Sequence, residues 1–278
     1  MIKEAINEYL IIDGKSIRVE DISKLTSPQP PLMYEVIRFL GGIPLFYEMH
    51  IERWHKSAKL LGIEISVSNE EIKQSLKNLL LANNIKDGNI KLLQSNIDGE
   101  DHWYIYEMPH RYPTDLEISR GVNVDIYDYE RSNPNAKVYH SDFRKNVAEI
   151  LHRHSLYEVL LMSKTGTLPE GSKSNVFYIY DDKIITSPSS AVLEGVTRQK
   201  VLEAAKKLDI PVIERSLKIE ELNKIQGCFL SGTSIGVLPV ARIERHELLS
   251  SENKIIDMLK LEYNKMVLND LKNSELSW

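Results

Sequence analysis

Four short stretches in the second half of the chain carry residue types that could do chemistry. In EGSKSNVF (170–177) a glutamate, Glu170, precedes a small-residue turn that feeds an apolar strand. In LEGVTRQKV (193–201) Gly195 allows close backbone approach, and Val196 and Thr197 open a helix. The first N–H groups of a helix have no intrahelical acceptor, so this end suits an anion. The turn SGTS (231–234), after CFL, offers the hydroxyls of Thr233 and Ser234 to phosphate oxygens. Lys137 closes the proline-containing loop ERSNPNAK. Each also has an ordinary structural reading: a loop carboxylate, a Thr-capped helix, a hairpin turn, a surface ammonium. HIERWH (50–55) looks superficially like a zinc helix. Its histidines are five apart rather than four and lie on different faces, so no metal site is expected.

These residues need elements to hold them, and the hydrophobic pattern supplies candidates. EYLIIDGKSIRV (8–19) reads as a hairpin about Asp13-Gly14, and the proline-rich SPQPP (27–31) as a turn. MYEVIRFLGGIPLFY (33–47) gives two strands about Gly41-Gly42. Period two puts Tyr34, Val36 and Arg38 on one face and Glu35 on the other. Helices follow at 49–63, stopped near Gly62, and at 69–85, capped by Asn69. KLLQSNI and HWYIYEM read as paired strands. PHRYPTDLEISRG has two prolines and no apolar period, so residues 113–121 are taken as a linker. It divides a small N-terminal α/β domain (1–112) from a larger C-terminal one (122–278). The second half reads as a strand at 122–129, a helix at 142–154, and a strand at 157–162. A hairpin at 175–188 turns at Asp181-Asp182, and an amphipathic helix covers 196–210. Two more strand stretches and a terminal helix (252–273) complete it. Hairpins mixed with helices indicate a mixed α+β or α/β class, not a doubly wound nucleotide fold.

Bulk properties exclude several classes. The chain has 278 residues, 42% hydrophobic and 27% charged, the balance of a globular protein with a sizeable core. A net charge of −5 gives no pull toward nucleic acid or an anionic membrane. No apolar run approaches the roughly 20 residues that cross a bilayer, and MIKEAINEYLII lacks the apolar centre of a secretory signal. The single cysteine, Cys228, leaves no intramolecular disulfide. A cytoplasmic protein is the plain expectation.

The order of the pieces is similar to that in the class IV aminotransferases. These are pyridoxal-phosphate enzymes of fold type IV that include branched-chain and D-amino-acid aminotransferases and aminodeoxychorismate lyase. YEVIRFLGGIPLFYEMHIERWHKSAKLLGI (34–63) looks like the family's aromatic-E-x-x-R and H-x-x-R-hydrophobic-x-x-S-A segments. EGSKSNVF, LEGVTR and SGTSIGVLPV resemble three further family motifs, and Lys137 precedes Glu170 by 33 residues, close to the family interval. The resemblance covers about residues 8–245 and implies a two-domain homodimer. It implies that Lys137 holds the cofactor as a Schiff base and shuttles the substrate's proton, and that Glu170 keeps the pyridine nitrogen protonated. Arg53 would bind the phosphate with Val196, Thr197, Thr233 and Ser234, Tyr34 would line the substrate pocket, and Arg38 would meet a substrate carboxylate.

The chain departs from the family at several places. SPQPPLM replaces a glycine-flanked turn, Gly236 stands where a glutamate is usual, and His140 stands where an asparagine is usual. Asn96 lies near the arginine of D-amino-acid enzymes. The resemblance implies transfer of an amino group between a small amino acid and a 2-oxo acid. The same core residues would serve a lyase of the aminodeoxychorismate type, and a non-catalytic binding protein is a third reading.

Overall fold

The computed structural model describes residues 4–24, 28–65, 67–97, 100–274 and 276. Ser27, the first residue of the expected proline-rich turn, lies outside them. Contacts divide the chain into two compact units, and neither is an unbroken stretch of sequence. One comprises Met1–Arg111, Ala136–His140 and Val267–Trp278, the other Tyr112–Asn135 and Ser141–Met266. The segment around Lys137 thus belongs with the N-terminal residues, which the pattern of apolar positions does not reveal.

The first unit is built on a six-stranded antiparallel sheet of β1 (Tyr9–Ile12), β2 (Lys15–Arg18), β3 (Met33–Leu40), β4 (Ile43–Pro44), β5 (Gly88–Ile97) and β6 (Glu100–Met108). Their order across the sheet is β2-β1-β6-β5-β3-β4. Helices α1 (Tyr47–Leu61) and α2 (Asn69–Asn83) supply Ile51, Trp54, Ala58, Ile72, Leu76 and Leu79 to a core with Ile37, Phe39, Ile90 and Ile105 of the strands. The opposite face carries a second, aromatic cluster around Leu10, Tyr34, Leu93, Tyr104 and Tyr106. Both faces of β5 are therefore covered, and it is buried at almost every position. That explains why KLLQSNI shows no clean alternation. The cap of α2 is Ser68, not Asn69. Its side chain accepts from the Glu71 amide, and Glu71 accepts in return from the Ser68 amide.

The second unit opens with α3 (Asp115–Arg120), a short helix within the expected linker. Its Thr114-x-x-Glu117 capping box starts it despite the absence of an apolar face. Then come β7 (Val122–Asp128), α4 (Ser141–His154), β8 (Glu158–Met162), β9 (Thr167–Leu168), β10 (Asn175–Tyr180) and β11 (Lys183–Thr186). The rest is α5 (Val196–Lys207), β12 (Val212–Glu214), β13 (Leu217–Lys218), β14 (Gly227–Gly232), β15 (Gly236–Ile243), β16 (His246–Glu247) and α6 (Lys254–Asn273). The main sheet runs β12-β11-β10-β14-β15-β7-β8, with β16 beside β15 and β9 paired to β13. It is mixed: β7 lies parallel to both β8 and β15, whereas β10, β11, β14 and β15 form antiparallel pairs. Asp181 and Asp182 both adopt positive φ at the expected hairpin turn. No described helix is long and apolar enough to cross a membrane.

Trp54 is fully buried between α1 and the sheet of the first unit. Trp54→Ala is expected to cost about 3–5 kcal/mol, read as a lowered urea midpoint at unchanged slope.

Candidate active site

In the first unit, Ala136–His140 runs antiparallel against the start of β3. The Tyr34 amide donates to the Lys137 carbonyl at 3.1 Å, the Tyr139 amide donates to the Leu32 carbonyl at 2.9 Å, and Met33 bridges Val138. Lys137 is therefore held on a strand edge rather than on a loose loop. Its own amide donates to Ser57 Oγ at 3.3 Å, and its Nζ stands 4.9 Å from the centre of the Tyr34 ring. Arg38 lies two pleats along β3 on the Tyr34 face, opposite Asn89. His140 is exposed, just before α4.

Glu35 takes the other face of β3, against α1. Arg53 grips it at two points, Nε to Oε1 at 2.8 Å and Nη2 to Oε2 at 2.6 Å, and His50 Nδ1 lies 3.0 Å from Oε2. His50, Arg53 and Ser57 share one face of α1 by their spacing of three and four. Two of them hold Glu35 and the third holds the Lys137 backbone. Burial alone would push the Glu35 carboxyl up, but the Arg53 guanidinium, with its own hydrogen bonds and that of His50, brings it down to about 2. Burial pushes His50 down against the pull of Glu35, so the imidazole is neutral, and a carboxylate acceptor assigns its proton to Nδ1. The histidine of the zinc-like pattern is thus a carboxylate partner. Among the described residues no cluster of ligating side chains suits a metal ion.

In the second unit the three motifs converge through hydrogen bonds that explain their spelling. Glu158, 1% exposed, accepts bonds from both serine hydroxyls of Glu170-Gly-Ser-Lys-Ser-Asn and from two of its amides. This fixes the turn that carries Glu170. Arg131 Nε makes an ion pair with Glu170 Oε1 at 2.8 Å, its Nη2 donates to the Ser172 carbonyl at 2.6 Å, and its guanidinium lies over the Phe143 ring. Asn175 Nδ2 donates to the Leu193 carbonyl at 2.9 Å, and a Cβ at Gly195 would stand 2.2 Å from Asn175 Oδ1. Only glycine permits that approach.

Asn175 is also the ladder partner of Ser231, so the SGTS turn begins beside the start of β10. Gly195 caps α5 without a side-chain bond, which leaves the first amides of α5, at Val196 and Thr197, to an outside acceptor. Ser231 Oγ is buried and has no hydrogen-bond partner among the described residues. An uncapped helix start and an orphaned hydroxyl on one turn system fit a bound phosphate. Thr233 and Ser234 occupy the turn between β14 and β15. Gly236 has φ +58°, and a Cβ there would come 3.1 Å from Tyr263. A side chain of any size is strained at that point. Asn96 is exposed and bonded to Asp101.

Glu35, His50, Ser57, Arg131 and Glu158 are partners that sequence reasoning did not assign. The spacing His50-x-x-Arg53-x-x-x-Ser57 on an amphipathic helix is the available signal for two of them, His50 and Ser57, and Glu35 carries only its place on the face of β3 opposite Tyr34. For Arg131 and Glu158 there was none.

The first unit thus holds a lysine beside a buried arginine–carboxylate pair, and the second holds a glutamate–arginine pair and a helix start that fits a phosphate. The family model described as "Amino-transferase class IV" matches residues 32–243, and the chain belongs to that family. The "Probable branched-chain-amino-acid aminotransferase" of Thermotoga maritima is 32% identical over 243 residues, 85% of this chain and 86% of that one. The "Aminodeoxychorismate lyase" of Bacillus subtilis is 26% identical over 85% of this chain and 86% of its own. The fold is that of the branched-chain amino acid aminotransferase from Thermobaculum terrenum, solved in its PLP-form. The TM-score is 0.80 at 23% identity, covering 96% of this chain and 95% of that one. The chain is a pyridoxal-phosphate-dependent aminotransferase of mixed α/β, fold type IV architecture.

Because the Glu35 carboxyl is depressed to about 2 from 4.5, its ion pair adds stability that is fully present above about pH 4.5. That stability is lost as pH falls through about 2. Glu35→Ala is expected to cost about 3–5 kcal/mol near neutral pH, since it leaves Arg53 buried without its partner. Urea unfolding followed at neutral and at acid pH should show that cost shrinking on acidification.

Proposed function

We propose that Lys137 anchors the cofactor and moves the proton at the substrate Cα, in an exchange of the amino group between a small amino acid and a 2-oxo acid. The observation that carries this reading is the way Lys137 is held. Its carbonyl is tied to β3 beside Tyr34 and its amide to Ser57, on the same helix face that presents Arg53. A residue that must return to one position through each half-reaction benefits from a backbone fixed on both sides.

The bound cofactor supplies a cationic ring that draws electron density away from the substrate Cα. Glu170 would hold a proton on the ring nitrogen. Arg131, ion-paired with Glu170, favours the ionised carboxylate that this requires. Arg53 would bind the phosphate, presented in a fixed orientation by Glu35 and His50, together with the Val196 and Thr197 amides and the Thr233 and Ser234 hydroxyls. Tyr34 would line the substrate pocket, and Arg38, on the same face of β3, would meet a substrate carboxylate. The names of the relatives make branched-chain amino acids and their 2-oxo acids the first pair to assay. Cytoplasmic location and assembly as a homodimer belong to the same reading, and light scattering on the purified protein checks the dimer.

The Bacillus subtilis relative supports one alternative, a lyase that uses the same lysine for proton abstraction and return. A coupled assay separates the two: amino transfer to 2-oxoglutarate supports transamination, and release of p-aminobenzoate supports elimination. Borohydride reduction of the holoenzyme is expected to leave a phosphopyridoxyl label on Lys137, located by peptide mass spectrometry. Lys137→Ala should lose both the label and the visible absorbance. Full labelling of another lysine in that variant would overturn the assignment.

A further inference from the structure

Lys91, on β5, is a second buried lysine beside the same tyrosine. It is 2% exposed, and its Nζ stands 5.2 Å from the ring centre of Tyr34, 5.3 Å from that of Tyr139 and 5.9 Å from that of Tyr106. It is ion-paired with Glu4, whose carboxylate also accepts from the Tyr106 hydroxyl at 2.9 Å. Burying an ammonium is costly even when it is paired, and neither the core nor the residues assigned above use this one. The pair has a direction. Both members reach Tyr106, and Lys91 is the member that also stands over Tyr34 and Tyr139. The Lys137 Nζ lies 4.9 Å from the centre of the same Tyr34 ring. Tyr34 and Tyr139 meet edge to face at 6.1 Å, so both lysines border one aromatic wall.

We propose that Lys91 is a positioning residue for Lys137: its fixed charge, held by Glu4, opposes protonation of the Lys137 nitrogen and keeps that nitrogen able to accept the substrate's proton. The inference rests on the reading of Lys137 as the cofactor anchor. The other groups around Lys137 in the first unit have identifiable effects. Glu35 draws charge onto Lys137 and its partner Arg53 opposes that pull, while His50 is neutral. Tyr34, Tyr106 and Tyr139 carry no charge near neutrality, and burial pushes the Tyr106 hydroxyl further up. Arg38, farther along β3, has the same sign as Lys91, and the exposed His140 is screened by solvent. Lys91 is the desolvated cation that shares a ring with Lys137, and like charges at such a site disfavour double protonation.

The test is the pH midpoint of the visible absorbance of the holoenzyme, with thermal melts as a check on folding. Lys91→Met should raise the midpoint by about 1 pH unit, and Glu4→Gln should lower it, because it removes the opposing charge. Lys91→Arg should stay near the wild type. A purely structural role would move Lys91→Met and Glu4→Gln in the same direction or not at all, and either result overturns the proposal. If Lys91→Met does not fold, an unmoved or raised midpoint in Glu4→Gln has the same force. Failure of the borohydride label at Lys137 would instead overturn the anchor reading, and this inference with it.

Discussion

A carboxylate removed from water stays ionised only where cations and hydrogen-bond donors replace the lost solvent, and Glu35 is such a carboxylate. Arg53 closes on it at two points and His50 at a third, all on residues with less than a tenth of their surface exposed. The pairing fixes which way α1 presents its polar edge, and the next residue on that edge, Ser57, holds the Lys137 backbone. One ion pair thus sets the rotation of a helix, and through it the position of a lysine far away in the sequence. The cost of leaving either charge alone makes this arrangement hard to vary.

The second unit applies the same physics with different parts. Glu158 gathers two serine hydroxyls and two amides of one turn, and Asn175 ties that turn to the start of α5. The motif Glu-Gly-Ser-x-Ser-Asn is therefore largely scaffold. Its serines and asparagine serve a buried acceptor and a neighbouring carbonyl, and only its glutamate remains as a candidate for chemistry. Arg131, stacked on Phe143 and paired with Glu170, sets the electrostatics of that glutamate from a loop with no recognisable pattern.

Most elements could be read from the sequence because their signals are local. Gly62 stops α1, two aspartates turn the β10–β11 hairpin, and the apolar spacing of α1, α2 and α5 is plain. Two local signals are easily overlooked: the cap of α2 is Ser68, one residue before Asn69, and the Thr114–Glu117 box starts a short helix in a proline-flanked stretch without an apolar face. The site was legible as a set of motifs in the right order, yet its internal wiring was not. Glu35 reads as an ordinary strand residue until α1 packs on it. Lys91 lies in a strand buried on both faces, where alternation carries no information. The membership of Ala136–His140 in the first unit depends on pairing across the chain, and no window of sequence contains it.

That pairing also affects how the protein is made. Lys137 and Ser57 are 80 residues apart in sequence, and the strand edge that Lys137 covers begins near Met33. On a chain emerging from the ribosome, the start of β3 keeps an open row of amides and carbonyls until residues 136–140 arrive, because β4 pairs only with its far end at Phe39 and Leu40. Such an edge invites strands from other chains. Lys137, proposed above as the cofactor anchor, thus lies on the segment that seals the sheet, and chains that have paired this segment have escaped this route to aggregation.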